Sequence, residues 1–390
     1  MRNVIFLGLI SFFSDISSEM VYPLIPLYLT SAFGATPTLV GFIEGIAESV
    51  ASLLKVFSGY IADKYKHKKP IAFTGYALGM VYKLALLFAT SWFGILFARV
   101  IDRIGKGIRS APRDVMVAES ASQGHGGSAF GIHKALDMAG SAIGIFLSFI
   151  LLKSVSGEVG YKQIFIISII PALLGLVFFH FVKEKPVHKK VKEEQPSWEK
   201  AKGLNTQLKL YLFVCFLFTL GNSSNTFLLL RAGNVGFSNS DVILLYFIYN
   251  LSASLLAYPL GKLSDKIGRK SLLVCGYLVF SIVYFGFGFA NSKAMMVLIF
   301  VLYGVYTAMS TGVERAFIAE IAPPELKGTM LGFQSMLVGV ALLPASFIAG
   351  LLWDHVGAYA PFVFGACLSL LAAIILAVFL KKPKAEVASA

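Results

Sequence analysis

Gly261-Lys-Leu-Ser-Asp265-Lys266-Ile-Gly268-Arg269-Lys270 follows a long apolar run in the second half of the chain, and Gly59-Tyr-Ile-Ala-Asp63-Lys64 follows one in the first half, 202 residues earlier. A second pair keeps nearly the same spacing. Ala118-Glu119, Gly127 and Gly131 recur as Ala319-Glu320, Gly328 and Gly332, each 201 residues on. Two separate motifs in one register argue for a duplicated chain, independently of hydropathy. Between the copies, residues 183–207 are rich in Lys and Glu and contain Pro186 and Pro196, which reads as a linker. The expected organisation is a bundle over 1–182, the linker 183–207, a second bundle over 208–382 and a tail over 383–390.

Working outward, the 390 residues are 57% hydrophobic and 14% charged, more apolar surface than one soluble core of this length buries. Apolar runs of about 20 residues, the length that crosses a hydrocarbon core, recur throughout. Twelve are predicted, at 4–30, 38–62, 70–89, 92–117, 128–152, 162–182, 208–231, 240–262, 271–290, 294–320, 327–351 and 360–380. The fold class is therefore an all-α membrane protein, with twelve transmembrane helices in two pseudo-symmetric six-helix bundles. The first span carries Asp15 and Glu19 and no small-residue cleavage pattern, so it reads as a retained helix. Cys215, Cys275 and Cys367 fall inside apolar runs, where they act as small hydrophobes.

The net charge of +13 sorts by loop. Lys64, Lys66, Lys68 and Lys69 follow the second span, a lysine-rich stretch joins the halves, Lys266, Arg269 and Lys270 follow the eighth span, and Lys381, Lys382 and Lys384 close the chain, whereas Thr30–Pro37 carries no charge. This positive-inside asymmetry puts both termini and the linker in the cytoplasm, in the inner membrane of a prokaryote. The basic balance thus reflects topology in a lipid bilayer and implies no nucleic-acid partner.

The second-half motif resembles, position by position, the cytoplasmic loop motif of the major facilitator superfamily, Gly-x-x-x-Asp-Arg/Lys-x-Gly-Arg-Arg/Lys. The first-half copy is looser, with Lys66 at the glycine position and His67 at a basic one. The resemblance implies a cytoplasmic latch. Gly59 and Gly261 would permit close helix approach. Asp63 and Asp265 would sit against the positive N-terminal ends of helices 11 and 5. Lys64, Lys266 and Arg269 would belong to the same latch, with Glu119 and Glu320 as partners of the two lysines.

Each ionisable side chain at mid-bilayer costs roughly 2.5–3.5 kcal/mol on insertion scales, so it must be paired, meet water or work. The first half has many. Asp15 and Glu19 share a helical face, as do Glu44 and Glu48; Lys55, Lys83, His133, Lys134 and Asp137 add to them. The fourth span is densest, with Arg99, Asp102, Arg103, Lys106 and Arg109. Its Arg103-x-x-Lys106-Gly107 resembles the Arg-x-x-Gln-Gly motif of proton-coupled members, with lysine for glutamine. Counting about 1.5 Å of rise per residue levels Glu19 with Arg99 and Asp15 with Arg103, which predicts those two buried pairs. Asp15, Glu19, Arg99, Asp102, Arg103 and Asp137 are the expected proton-coupling groups. Asp137-x-x-Gly140-x-x-x-Gly144 half resembles an exporter motif of the fifth helix, with Ile145 where that motif has proline.

The second half is more neutral. Asn222 and Asn225, then Tyr246, Tyr249, Asn250, Glu314, Arg315 and Gln334, describe a substrate wall, to which Glu44 and Glu48 add acids at the gate between halves. The expectation is a monomeric secondary transporter that works by alternating access, takes a small-molecule substrate and couples its export to protons. The rivals are transport of an organic anion held by the fourth-span arginines, and a membrane sensor or lipid-handling protein of the same fold. No phosphate-binding glycine loop and no nucleophile–base set is evident, so no enzyme activity, no cofactor and no metal are expected.

Overall fold

The computed structural model describes residues 2–64, 68–120, 126–155, 157–184, 206–323 and 327–380, and these form helices with no strand among them. The first half comprises α1 (Arg2–Val21), α2 (Leu24–Phe33), α3 (Pro37–Lys64), α4 (Lys68–Leu87), α5 (Trp92–Ser120), α6 (Gly126–Ser154) and α7 (Gly157–Phe178). The second comprises α8 (Thr206–Gly221), α9 (Thr226–Asn234), α10 (Asn239–Ile267), α11 (Arg269–Phe289), α12 (Lys293–Ile321), α13 (Lys327–His355) and α14 (Ala360–Phe379). Most of the linker and the tail lie outside the described residues.

Eleven stretches among the described residues are long and apolar enough to cross a membrane, with α1–α2 and α8–α9 each counting as one. The twelfth crossing is α5, 29 residues long but carrying eight charged side chains. The spans predicted as continuous at 4–30 and 208–231 are both broken. In the first, Pro23 lacks the N–H that would carry the helix onward. In the second, the turn at Asn222–Asn225 is held by side chains: the Ser224 backbone N–H donates to Ser346 Oγ (3.2 Å) and Thr226 N–H to Ser224 Oγ (3.3 Å). A membrane helix tolerates a break where such groups satisfy the freed backbone.

The packing repeats between halves. In the first half α3 and α4 both lie against α5, and α4 meets α7; in the second half α10 and α11 lie against α12, and α11 meets α14. Within the first half α1 and α6 come close enough that a methyl group on Gly140 would lie 2.3 Å from the Phe12 carbonyl oxygen. Ile170, Ile282 and Val378 are more than half exposed on the outside, where acyl chains replace water as their surroundings; this is an integral multi-pass membrane protein.

Two seams join the halves, α3 with α13 and α6 with α10, and the repeat exchanges one for the other. Along the first, a methyl group at Gly41 would lie 2.3 Å from the Ser346 oxygen and one at Gly350 2.5 Å from the Thr38 Cα, and Ser49 Oγ donates to the Gly339 carbonyl at 2.6 Å. The end remote from the chain termini is further closed by Asn239 Nδ2 donating to Tyr161 Oη (2.7 Å) and the Thr38 N–H donating to Asp354 (3.0 Å). The second seam meets at Phe146 and Phe247, whose rings are 5.6 Å apart.

The described part of the latch differs from the expectation. Gly261, expected to allow a close approach, faces open space. Asp265, expected at the N-terminus of α6, leaves its side chain 69% exposed and pairs with Arg269 of the next helix at 3.6 Å. Glu320 pairs with Arg269 at 3.0 Å rather than with Lys266, and Glu119 pairs with Lys68. These two ion pairs are copies, since Lys68 and Arg269, like Glu119 and Glu320, lie 201 residues apart. Gly59, Asp63 and Lys64 belong to α3 with their side chains outside the described residues, as Lys66 and His67 are altogether. Gly268 bridges α10 and α11 at φ +89, a conformation that a side chain would strain.

Gly140→Val should cost about 1–3 kcal/mol through overpacking against α1, read as a lowered thermal unfolding midpoint in detergent.

Candidate functional site

On α5, Arg99, Asp102, Arg103, Lys106 and Arg109 recur every three or four residues and so share one face. That face is turned inward. Arg99 and Asp102 are almost fully buried, and Arg103 and Arg109 nearly so. Burial of this kind demands partners, and α3 supplies the main ones. Arg99 grips Glu44 through two bonds, Nε to Oε1 at 2.9 Å and Nη2 to Oε2 at 2.6 Å, the fork geometry suited to a carboxylate. One turn along, Arg103 Nη2 meets Glu48 at 2.8 Å. Asp102 sits among three cations, Arg99 (3.6 Å), Arg103 (3.7 Å) and Lys106 (3.6 Å).

The predicted pairs Glu19–Arg99 and Asp15–Arg103 are therefore not formed. Depth along the membrane sets the level of a side chain but leaves its direction open, and α5 packs on α3 and α4 while touching α1 only lightly. Asp15 instead approaches Arg109 at 3.9 Å, and Arg109 donates to Ser14 Oγ at 2.7 Å. Asp15 also lies within hydrogen-bonding reach of Asp137, which Lys134 holds at 2.9 Å. Glu19 makes no ion pair among the described residues; it feels Lys106 and Arg103 at longer range. Lys83 is buried beneath this cluster, its ammonium 5.4 Å from the Tyr82 ring centroid.

A cavity of about 280 Å³ lies between the halves beside the cluster. The first half contributes Tyr22 and Glu48; the second contributes Asn222, Asn225 and the serines between them, Tyr249, and hydroxyl side chains of α12. The break between α8 and α9 thus places its amides on the wall. Asn222 Nδ2 donates to Tyr306 Oη (3.2 Å), and Tyr303 Oη donates to Asn225 Oδ1 (2.8 Å). Tyr22 links cluster and cavity, with the Arg99 and Arg103 guanidinium carbons 5.2 and 5.6 Å from its ring centroid.

Of the expected substrate wall, Glu48, Asn222, Asn225 and Tyr249 line the cavity. The others are placed off it, for visible reasons. Glu44 is consumed by Arg99, and Asn250 Nδ2 donates back to the Tyr246 carbonyl of its own helix (2.9 Å). Tyr246 packs on Tyr22, their ring centroids 5.9 Å apart. Glu314 accepts from Tyr277 Oη (3.1 Å), Gln334 Nε2 reaches Cys215 Sγ (3.8 Å), and Arg315 is exposed. Sequence reasoning missed Tyr22, Tyr303 and Tyr306. The spacing Tyr303-x-x-Tyr306 on one face, and a tyrosine one turn beyond Ser18-Glu19, were the available signals.

The Major Facilitator Superfamily model matches residues 7–230 and 211–390. An uncharacterised MFS-type transporter of Methanocaldococcus jannaschii is 35% identical over 387 residues, covering 96% of this chain and 94% of the relative. Multidrug resistance protein MdtH of Photorhabdus laumondii is 23% identical over 336 residues, covering 83% and 79%. The crystal structure of nucleoside transporter NupG superposes with a TM-score of 0.79 at 14% identity, covering 98% of this chain and 100% of that one, a likeness of fold alone.

Glu44→Ala should destabilise the protein by about 3–5 kcal/mol, because it strands the Arg99 charge in the interior. The Glu44→Ala/Arg99→Leu double variant should recover part of that loss, as measured by unfolding midpoints in detergent.

Proposed function

Because this chain belongs to the major facilitator superfamily, we propose that it is a secondary transporter that couples export of a small organic solute to proton entry by alternating access. The observation that carries this reading is the position of Arg103. It holds Glu48, which lines the cavity, and touches Asp102 within the ionic cluster. A change in charge within the cluster therefore reaches the cavity wall through one side chain. Asp15 and Glu19 are the acids most loosely held, the first 3.9 Å from Arg109 and the second without an ion pair among the described residues. Protonating either alters the field on Arg103 and Lys106, and so the relative cost of the two conformations.

The lysine-rich loops support placing the end that bears the termini in the cytoplasm, which we read as that of a prokaryotic cell. Closure of the α3–α13 seam beyond the cavity, with Gly261 facing open space and Asp265 exposed toward the terminal end, supports an inward-facing conformation. Closing the latch around Asp63 and Asp265 would give the outward-facing one. One chain holds both cluster and cavity, which supports action as a monomer. The likeness to a multidrug resistance protein supports export. An organic-anion clamp gains less support, since Arg99 and Arg103 already hold Glu44 and Glu48.

The test is transport of a solute identified by screening, in proteoliposomes with an imposed pH gradient. Asp15→Asn and Arg103→Ala should each lower gradient-driven accumulation at least tenfold, with Asp15→Asn retaining solute exchange at equal pH. Full accumulation by both variants would sink the coupling assignment.

A further inference from the structure

Charge is scarce on the cavity wall. Among the described residues lining it, Glu48 alone carries a formal charge, and Arg103 neutralises it at 2.8 Å. Glu19 lies off the wall, near Tyr246 and Tyr249 and in the field of Lys106 and Arg103. An ion entering the cavity gives up its water shell, and the charged group on the wall that could replace it, Glu48, is already paired.

Neither sign of charge has a welcoming surface. Aromatic rings can hold a cation by their faces, but the Tyr22 ring already has Arg99 and Arg103 at 5.2 and 5.6 Å, so a cation arriving there meets like charge. An anion meets the Glu48 carboxylate, and the arginines that would receive it are occupied. What the wall offers freely is amphoteric hydrogen bonding. Hydroxyl groups donate and accept, and the amides of Asn222 and Asn225 are held in place by Tyr306, Tyr284 (3.4 Å) and Tyr303. Tyrosine ring bodies add flat apolar surface. At about 280 Å³ the space is near the lower end for small-molecule sites.

We infer that this cavity selects small uncharged solutes that carry a ring face together with several hydroxyl or amide groups, an inference that rests on the transport reading above. The discrimination is made by pairing: neutral hydroxyls exchange water hydrogen bonds for those of the wall, whereas a charged group loses solvation that nothing returns.

Calorimetric titration of the purified full chain in lipid nanodiscs tests this without requiring transport. The probes are phenyl β-D-glucopyranoside, its anionic counterpart phenyl β-D-glucuronide, and the cation benzyltrimethylammonium. The neutral probe should bind at least tenfold more tightly than either ion, and Asn225→Ala should weaken it at least tenfold. Thr311→Val, also on the wall, serves as a second variant expected to weaken binding, and the unfolding midpoint of each variant checks that it is folded. Equal or tighter binding of either ion, no binding of the glucoside, or unchanged binding in both folded variants overturns the inference. Glucoside binding in nanodiscs without glucoside accumulation by proteoliposomes under an imposed pH gradient would overturn the coupling reading alone.

Discussion

Helix α5 carries Arg99, Asp102, Arg103, Lys106 and Arg109 into a layer where each unpaired charge costs about 2.5–3.5 kcal/mol on insertion scales, and much of the first half is arranged around that constraint. Glu44 and Glu48 lie one turn apart on α3, at the spacing of Arg99 and Arg103, so two turns of each helix meet as a matched ladder. Asp102 fills the space between the cations on its own helix. Arg109 reaches Ser14 and Asp15 and lies 4.2 Å from the Tyr76 ring centroid, tying α1 and α4 to the same column. The second half has no comparable column among its described residues and packs through stacked aromatics, such as Phe218 on Tyr277 with centroids 4.0 Å apart. One half is thus cemented by charge and the other by rings.

The sequence carried the architecture clearly, because hydropathy and the 201- and 202-residue repeat are one-dimensional signals. The repeat even extends to contacts: Lys68–Glu119 and Arg269–Glu320 are the same ion pair made twice. Reading the loop motif alone assigned Glu320 to Lys266, since spacing does not say which cation of the loop, Lys266 or Arg269, turns toward the acid. The ionic cluster was legible as a set of residues but not as a set of pairs. Rise per residue gives height, whereas pairing also needs the direction of each side chain and the order of helices around the bundle. That order put α3, not α1, beside α5.

The cavity was the least legible part, because its wall depends on two interruptions. A helix that ran unbroken through Asn222–Asn225 would keep its backbone bonded internally. The turn there instead directs amides and serines inward, where Tyr303 and Tyr306 meet them. Residues chosen for polarity alone, such as Glu314 and Gln334, bond within their own bundle, to Tyr277 and Cys215. A polar side chain in an apolar run announces only that it has a partner somewhere.

The α3–α13 seam has a mechanical consequence. At Gly41 and Gly350 main chain meets main chain, with the Phe42 and Phe347 rings packed beside them. Two interlocked rows of leucines would have to change rotamers whenever the halves tilted, giving the movement a rough, stepwise resistance. Bare backbone has no such teeth. The seam is a plain bearing, and wear on it would come from any mutation that adds bulk, however conservative its chemistry.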